Sequence, residues 1–170
     1  GAGLAFYLQT SVALTVNQIK AVRSGTGIKF GGVGAITATD WSTIDCRFAT
    51  DTTSAPGATG TITRWFNAGS HRGATVTGGI TITPGAGVVV TFSECYSGSE
   101  ESEPIANMST ANPERVVTDG CVCARPHASM HTTDDGLYYT TATNCDVTGF
   151  AANGRFGQLG GTSDGCYYAG

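Results

Sequence analysis

The chain is short of charge. Asp, Glu, Lys and Arg make up 13% of its 170 residues, and lysine is limited to Lys20 and Lys29. Soluble domains usually carry about 25% charged residues, so a surface covered by ions, as in most cytosolic enzymes, is not available to it. The net charge is −4, and Arg23, Arg47, Arg64, Arg72, Arg115, Arg125 and Arg155 are scattered rather than gathered in a stripe. Contact with a nucleic-acid backbone needs clustered Lys and Arg, so nucleic acid is excluded as a partner. The longest unbroken apolar run is Leu4–Leu8, far below the roughly 20 residues of a membrane helix, and no membrane span is expected.

Catalytic signatures are missing too. There is no Gly-x-Ser-x-Gly elbow and no phosphate-cradling loop ending in Gly-Lys-Ser/Thr. Only His71, His127 and His131 could serve as imidazole bases. Carboxylates such as Asp45, Glu94 and Asp146 carry no glycosidase signal, because any two strands of a β protein can bring acids together. No catalytic residue is assigned. No internal repeat, domain linker or coiled-coil heptad stands out. The chain begins at Gly1 rather than Met, which reads as a processed or trimmed end.

What is present points to β structure. The chain holds 25 glycines and is thick with Thr, Ser and Ala. Thr suits pleated, half-buried strands and Gly supplies the turns between them. The 40% apolar content is enough for a core in one domain of this length. Strand patterns fall at Ala35–Thr39, Ile44–Ala49, Thr61–Phe66, Arg115–Thr118, Leu137–Thr141 and Asp146–Phe150. A hairpin is expected at Ile80–Phe92: Ile80 and Ile82 alternate with Thr81 and Thr83, Pro84-Gly85-Ala86-Gly87 turns the chain, and Val88, Val90 and Phe92 alternate back. In that hairpin the threonines face outward. About nine short strands separated by turn signals predict a single-domain antiparallel β-sandwich or jelly roll.

Residues 1–23 stand apart as an apolar segment ahead of a sandwich over 24–170. Leu4, Leu8, Val12, Val16 and Ile19 recur at helical spacing, while Val12, Leu14 and Val16 also alternate as in a strand. The β-branched residues favour a strand over 11–16, with a short helix as the alternative. Either form could act as an assembly element, a strand donated to the sheet edge of a neighbour.

Six cysteines in a secreted-looking composition read as a disulfide framework. Cys46, Cys95, Cys145 and Cys166 are the disulfide candidates, with Cys145–Cys166 the favoured pair across a glycine-rich C-terminal loop. Cys121, Cys123, His127 and His131 are two thiols and two imidazoles within eleven residues, the ligand types of a tetrahedral zinc site. Pro126 discourages the helix that would align the histidines. Glu100, Glu101 and Glu103, and the turn at Asp134-Asp135, offer hard oxygens for calcium, without EF-hand spacing. The expected cofactor is none, with zinc and calcium as the metals to test.

Asn107-Met108-Ser109 is a glycosylation sequon. Lys20 and Lys29, each in an apolar context, are candidates for an isopeptide crosslink, against the plainer reading of a buried stem with its amine in water. Trp41, Trp65, Tyr96, Tyr138, Tyr139, Tyr167 and Tyr168 could stack on sugars or fill core and subunit contacts. Together these features predict a non-enzymatic structural subunit that assembles with copies of itself into an extracellular filament, pilus-like fibre or virion surface layer. The alternative is a monomeric secreted module that binds surface glycans through its aromatics.

Overall fold

Apolar and small residues alternate with Thr, Ser and Asn over short runs, and single residues of positive φ or tight turns interrupt them. The result is a set of short strands that all pair in parallel. The computed structural model describes residues 3–9, 12–31, 34–50, 59–68, 79–98, 105–107, 109, 111–124, 137–148 and 158–169. Within these, the strands are β1 (Leu4–Leu8), β2 (Leu14–Asn17), β3 (Lys20–Val22), β4 (Thr26–Phe30), β5 (Ile36–Ile44), β6 (Gly60–Ala68), β7 (Ile80–Ile82) and β8 (Val90–Ser93). They continue as β9 (Tyr96–Gly98), β10 (Ile105–Asn107), β11 (Val116–Asp119), β12 (Val122–Ala124), β13 (Leu137–Thr143), β14 (Asp146–Thr148), β15 (Gln158–Asp164) and β16 (Tyr167–Ala169).

The chain winds as a β-solenoid with three ladders. The first runs through β2, the front of β5 and of β6, then β8, β11 and the ends of β13 and β15. The second runs through β3, the ends of β5 and β6, then β9, β12, β14 and β16. The third joins β1 to β4 and β7 to β10 and the start of β13. Between those two parts lie Phe48, which bridges Thr26, and Thr50, whose Oγ1 donates to the Thr81 carbonyl at 2.6 Å and accepts from its N–H at 2.7 Å.

One residue per coil makes the corner between the first and second ladders. Gln18, Asp40, Arg64, Glu94, Gly120, Asn144 and Gly165 occupy that corner in seven successive coils, all with φ between +52° and +61°. The left-handed conformation turns the chain sharply within a single residue. It lets Glu94, Gly120 and Asn144 donate their N–H to the carbonyls of Asp119, Thr143 and Asp164 on the next coil at 2.9–3.0 Å.

The residue after each corner points inward. That row reads Ile19, Trp41, Trp65, Cys95, Cys121, Cys145 and Cys166, and all but Cys166 are buried. The indole rings of Trp41 and Trp65 meet edge to face at 5.3 Å, Phe30 stacks on Trp41 at 6.1 Å, and Phe92 follows Trp65 at 6.3 Å. Ile28, Phe30, Ile80, Ile82, Ile105 and Leu137 fill the core from the third ladder.

Several expectations are corrected. The fold is a parallel solenoid, not an antiparallel sandwich or jelly roll. The coil closes on its neighbours through one-residue corners, so no strand has to reverse against the one before it. The Ile80–Phe92 hairpin does not form: β7 pairs with β10, and β8 pairs with β6 and β11. The turn itself is real, with Val88 N–H on the Gly85 carbonyl and Gly87 at φ +71°. Thr81 lies in the core rather than facing out. Among the described residues of 4–22 there is no helix; they form β1, β2 and β3, which pair with β4 and β5. An internal repeat does exist, and it is structural: coil length varies from the 21 residues between Cys145 and Cys166 to the 30 between Asn67 and Ser97. Among the described residues, no helix is long and apolar enough to cross a membrane.

Candidate functional site

The cysteines were the strongest candidates for chemistry, and the fold puts them to a different use. All six are free thiols and no disulfide forms, so the expected bridges among Cys46, Cys95, Cys145 and Cys166 are corrected. Cys95, Cys121, Cys145 and Cys166 occupy the same inward station on successive coils. There they fill core space and satisfy backbone carbonyls of the coil before: Cys95 donates to Ile62 at 3.5 Å, Cys121 to Phe92 at 3.3 Å and Cys145 to Thr118 at 3.5 Å. Cys46 belongs to another corner, where its sulfur lies 3.1 Å from the Ser24 hydroxyl.

Their environment keeps most of these thiols protonated. In Cys121 a hydrogen bond with Cys145 pulls the pKa down, but one with Cys95 and burial outweigh it and push it up to about 12. Cys145 is raised by its hydrogen bond with Cys121 and by burial. Burial raises Cys123 well above the usual thiol range and raises Cys166. Cys95 is lowered, by its hydrogen bond with Cys121, against burial. A nucleophile or a metal ligand must be a thiolate, so this row suits packing.

Of the zinc candidates, Cys121 and Cys123 both lie in the core, while His127 and His131 fall outside the described residues. So do His71 and the calcium candidates Glu100, Glu101, Glu103, Asp134 and Asp135. Among the described residues no cluster of three or more His, Cys, Asp or Glu is placed to hold a metal.

The remaining candidates are dispersed. Asp45 stands at the corner after β5, Glu94 at the corner between the first and second ladders, and Asp146 on the second ladder. Lys20 is exposed on β3 and Lys29 half-buried on β4. Asn107 ends β10. Trp41 and Trp65 are core residues with no face for a sugar. Tyr139 lies at the corner of β13, its ring over Gly160 of the next coil. Of the Tyr167–Tyr168 pair, Tyr167 is 63% exposed while Tyr168 turns in, its hydroxyl pKa raised to about 12 by burial.

Two features were not anticipated from sequence. The first is a buried polar ladder. Trp65 Nε1 donates to Thr43 Oγ1 at 3.0 Å, Thr43 to Asn67 Oδ1 at 2.8 Å, and Asn67 Nδ2 to Ser97 Oγ at 3.0 Å. Each sits two residues after a corner Trp or Cys, or is that Trp, and this offset was the available signal.

The second feature is the pair of outward faces. On the second ladder Phe66 and Tyr96 stack at 5.1 Å with planes 17° apart, followed by the exposed Val122. On the first ladder three consecutive coils present uncharged hydroxyls outward: Thr37-x-Thr39, Thr61-x-Thr63 and Thr91-x-Ser93 stand in register, bordered by Asn17 on one side and by Val117 and Asp119 on the other. Beside them the corner pair Asp40 and Arg64 forms a two-pronged ion pair at 2.7 and 3.1 Å, so these two charges cancel. These faces and the strand edges of the terminal coils are the surfaces on which a functional reading rests. The chain matches no known protein family, no curated protein and no solved structure.

Proposed function

We propose that the protein is a non-enzymatic structural module that assembles with copies of itself into an extracellular fibre or virion surface layer. The observation that carries this reading is the parallel, in-register stacking of the ladders, which a coil of another copy can extend. Among the described residues β1 pairs only with β4, β2 and β3 only with β5, β15 only with β13 and β16 only with β14. Such edges are templates for a further parallel strand. The core of the first coil is correspondingly open. Phe6, Leu8, Leu14 and Val16 are only partly buried, and Leu4, Tyr7, Val12 and Val22 are 44–66% exposed.

A coil from an adjoining copy continues the ladders and covers this apolar end. The sparse charge offers little repulsion against it. Stacked repeats gain stability from each neighbour interface, so a shaft built this way is stiff and needs no ligand. The segment containing Leu4, Leu8, Val12, Leu14, Val16 and Ile19 then acts as an assembly element by accepting a coil, not by leaving its own.

Light scattering with electron microscopy of the same sample tests this. Large regular particles or fibres are expected from the native chain, and Val16→Lys, which places a charge in the open end of the core, should yield a folded monomer. A native sample that stays at 17.3 kDa at all concentrations would count against assembly. The glycan-binding alternative has one observation in its favour, the exposed Phe66–Tyr96 stack. Those rings already spend one face each on one another, leaving less for a sugar.

A further inference from the structure

The hydroxylic face of the first ladder has a regularity that a shaft does not require. Thr37, Thr61 and Thr91 form one rank, and Thr39, Thr63 and Ser93 form a second, paired residue for residue by the parallel register of β5, β6 and β8. Strand geometry sets the ranks roughly 6.6 Å apart along the chain and neighbours in a rank roughly 4.8 Å apart. The residues between them, Ala38, Ile62 and Phe92, are locked in the core at 0–1% exposure, so the lattice is held from below. Thr is stiff at χ1, and a hydroxyl can donate once and accept twice; Thr39 gives its proton to Asn17 Oδ1 at 2.7 Å and presents its lone pairs, and each of the five threonines carries a methyl group beside the hydroxyl.

None of the six side chains carries a charge; the charges nearest them border the array, at Asp119 in register with Ser93 and at the Asp40–Arg64 ion pair. A ligand commensurate with this face must be neutral, able to donate and accept at every point, and periodic in two directions. A polysaccharide chain is periodic in one direction and favours an aromatic platform, which these six positions lack. The aromatic residues Phe66 and Tyr96 lie around the corner, on the second ladder.

We propose that this face binds ice, an ordered lattice of water, through Thr37, Thr39, Thr61, Thr63, Thr91 and Ser93. A single hydroxyl gains little from ice over liquid water, because it exchanges one hydrogen bond to water for another. Binding therefore depends on many preorganised groups at once, and a single bulky charge in the middle of the array disrupts it. The inference stands on the first ladder alone and does not depend on assembly.

The test is partition into a slowly growing ice front, together with the gap between melting and freezing points. The native protein should be enriched in the ice fraction and hold back crystal growth. Thr61→Lys, at an exposed position, should be rejected into the liquid several-fold more strongly while its circular dichroism and particle size stay native. Phe66→Ser, on the second ladder, should partition as the native chain does. Rejection of the native protein from ice would overturn the proposal, as would entry that Thr61→Lys leaves unchanged. Retention on insoluble neutral polysaccharide, lost in Thr61→Lys and unaccompanied by ice entry, would reassign the face to glycan.

Discussion

The backbone N–H of Trp65 donates to the thiol sulfur of Cys95 on the next coil at 3.3 Å. Trp and Cys thus occupy the same station of the solenoid, and the sulfur stands where an indole ring stood one coil earlier. The pattern recurs at the far end, where the Cys145 N–H donates to Cys166 at 3.3 Å. The cysteines are core material whose sulfurs also complete the backbone ladder.

It follows that the native thiols should be inert. Cys46, Cys95, Cys121, Cys123 and Cys145 are buried and Cys166 is half-buried. An aromatic disulfide reagent at pH 8 should modify at most Cys166 rapidly, and all six cysteines after denaturation. Rapid native labelling of Cys121 or Cys123, mapped by mass spectrometry, would contradict the packing described.

Alkaline pH should destabilise the fold. Cys121, Cys123, Cys145 and Cys166 have folded pKa values above their ordinary 9.0, and Cys121 reaches about 12. The unfolded chain therefore releases protons first, and stability is full below about pH 8.5 and lost as pH rises toward 12. Cys95, lowered, acts in the opposite sense. Each unit of net upward shift in the coupled Cys95–Cys121–Cys145 row costs about 1.4 kcal/mol as the pH rises. Denaturant unfolding across that range should show the decline in the native chain and a smaller one in Cys121→Ala.

The buried polar ladder should be costly to break. Asn67→Ala removes the acceptor for Thr43 and the donor to Ser97 inside the core. Leaving buried polar groups unmatched costs about 1–3 kcal/mol, and a coupled network more than one bond. A loss of about 3 kcal/mol in urea unfolding is expected. A change under about 0.5 kcal/mol, the scale of an ordinary surface substitution, would show that the ladder is not closed.

The corner row gives a prediction of opposite sign. Glu94 is an exposed non-glycine residue at φ +54°, a conformation that costs L-residues about 1–2 kcal/mol. Glu94→Gly should raise stability by up to about 1 kcal/mol, a shift of about 2–4 °C in Tm. Gly120→Ala, where an added Cβ meets nothing closer than 3.9 Å, should lower it by a similar amount through backbone strain alone.

Much of the strand content was legible in the sequence, and its partners were not. Alternation at Ile80–Ile82 and Val90–Ser93 correctly marks two strands and the turn at Gly85–Gly87. Periodicity, however, reports only which residues alternate, not which strand lies alongside, and a turn between two strands looks the same in a hairpin and in a coil. The repeat was hidden because coils of 21 to 30 residues defeat a search at fixed period. What does recur is short: Ser93-Glu94-Cys95, Asp119-Gly120-Cys121, Thr143-Asn144-Cys145 and Asp164-Gly165-Cys166. Its middle position requires a backbone conformation rather than a residue type, so Glu, Gly and Asn conceal the identity of the site. An even cysteine count favoured disulfides, yet the common spacing of each Cys from a polar corner residue was the better clue. The threonine face was visible only as composition until the register of β5, β6 and β8 aligned it.

Diffraction from aligned particles tests the central claim, a parallel solenoid continued from copy to copy, most directly. Strands lying across the long axis at the usual spacing predict a meridional reflection near 4.8 Å running the length of each fibre. A strand repeat perpendicular to the fibre axis, or particles that show none at all, would contradict it.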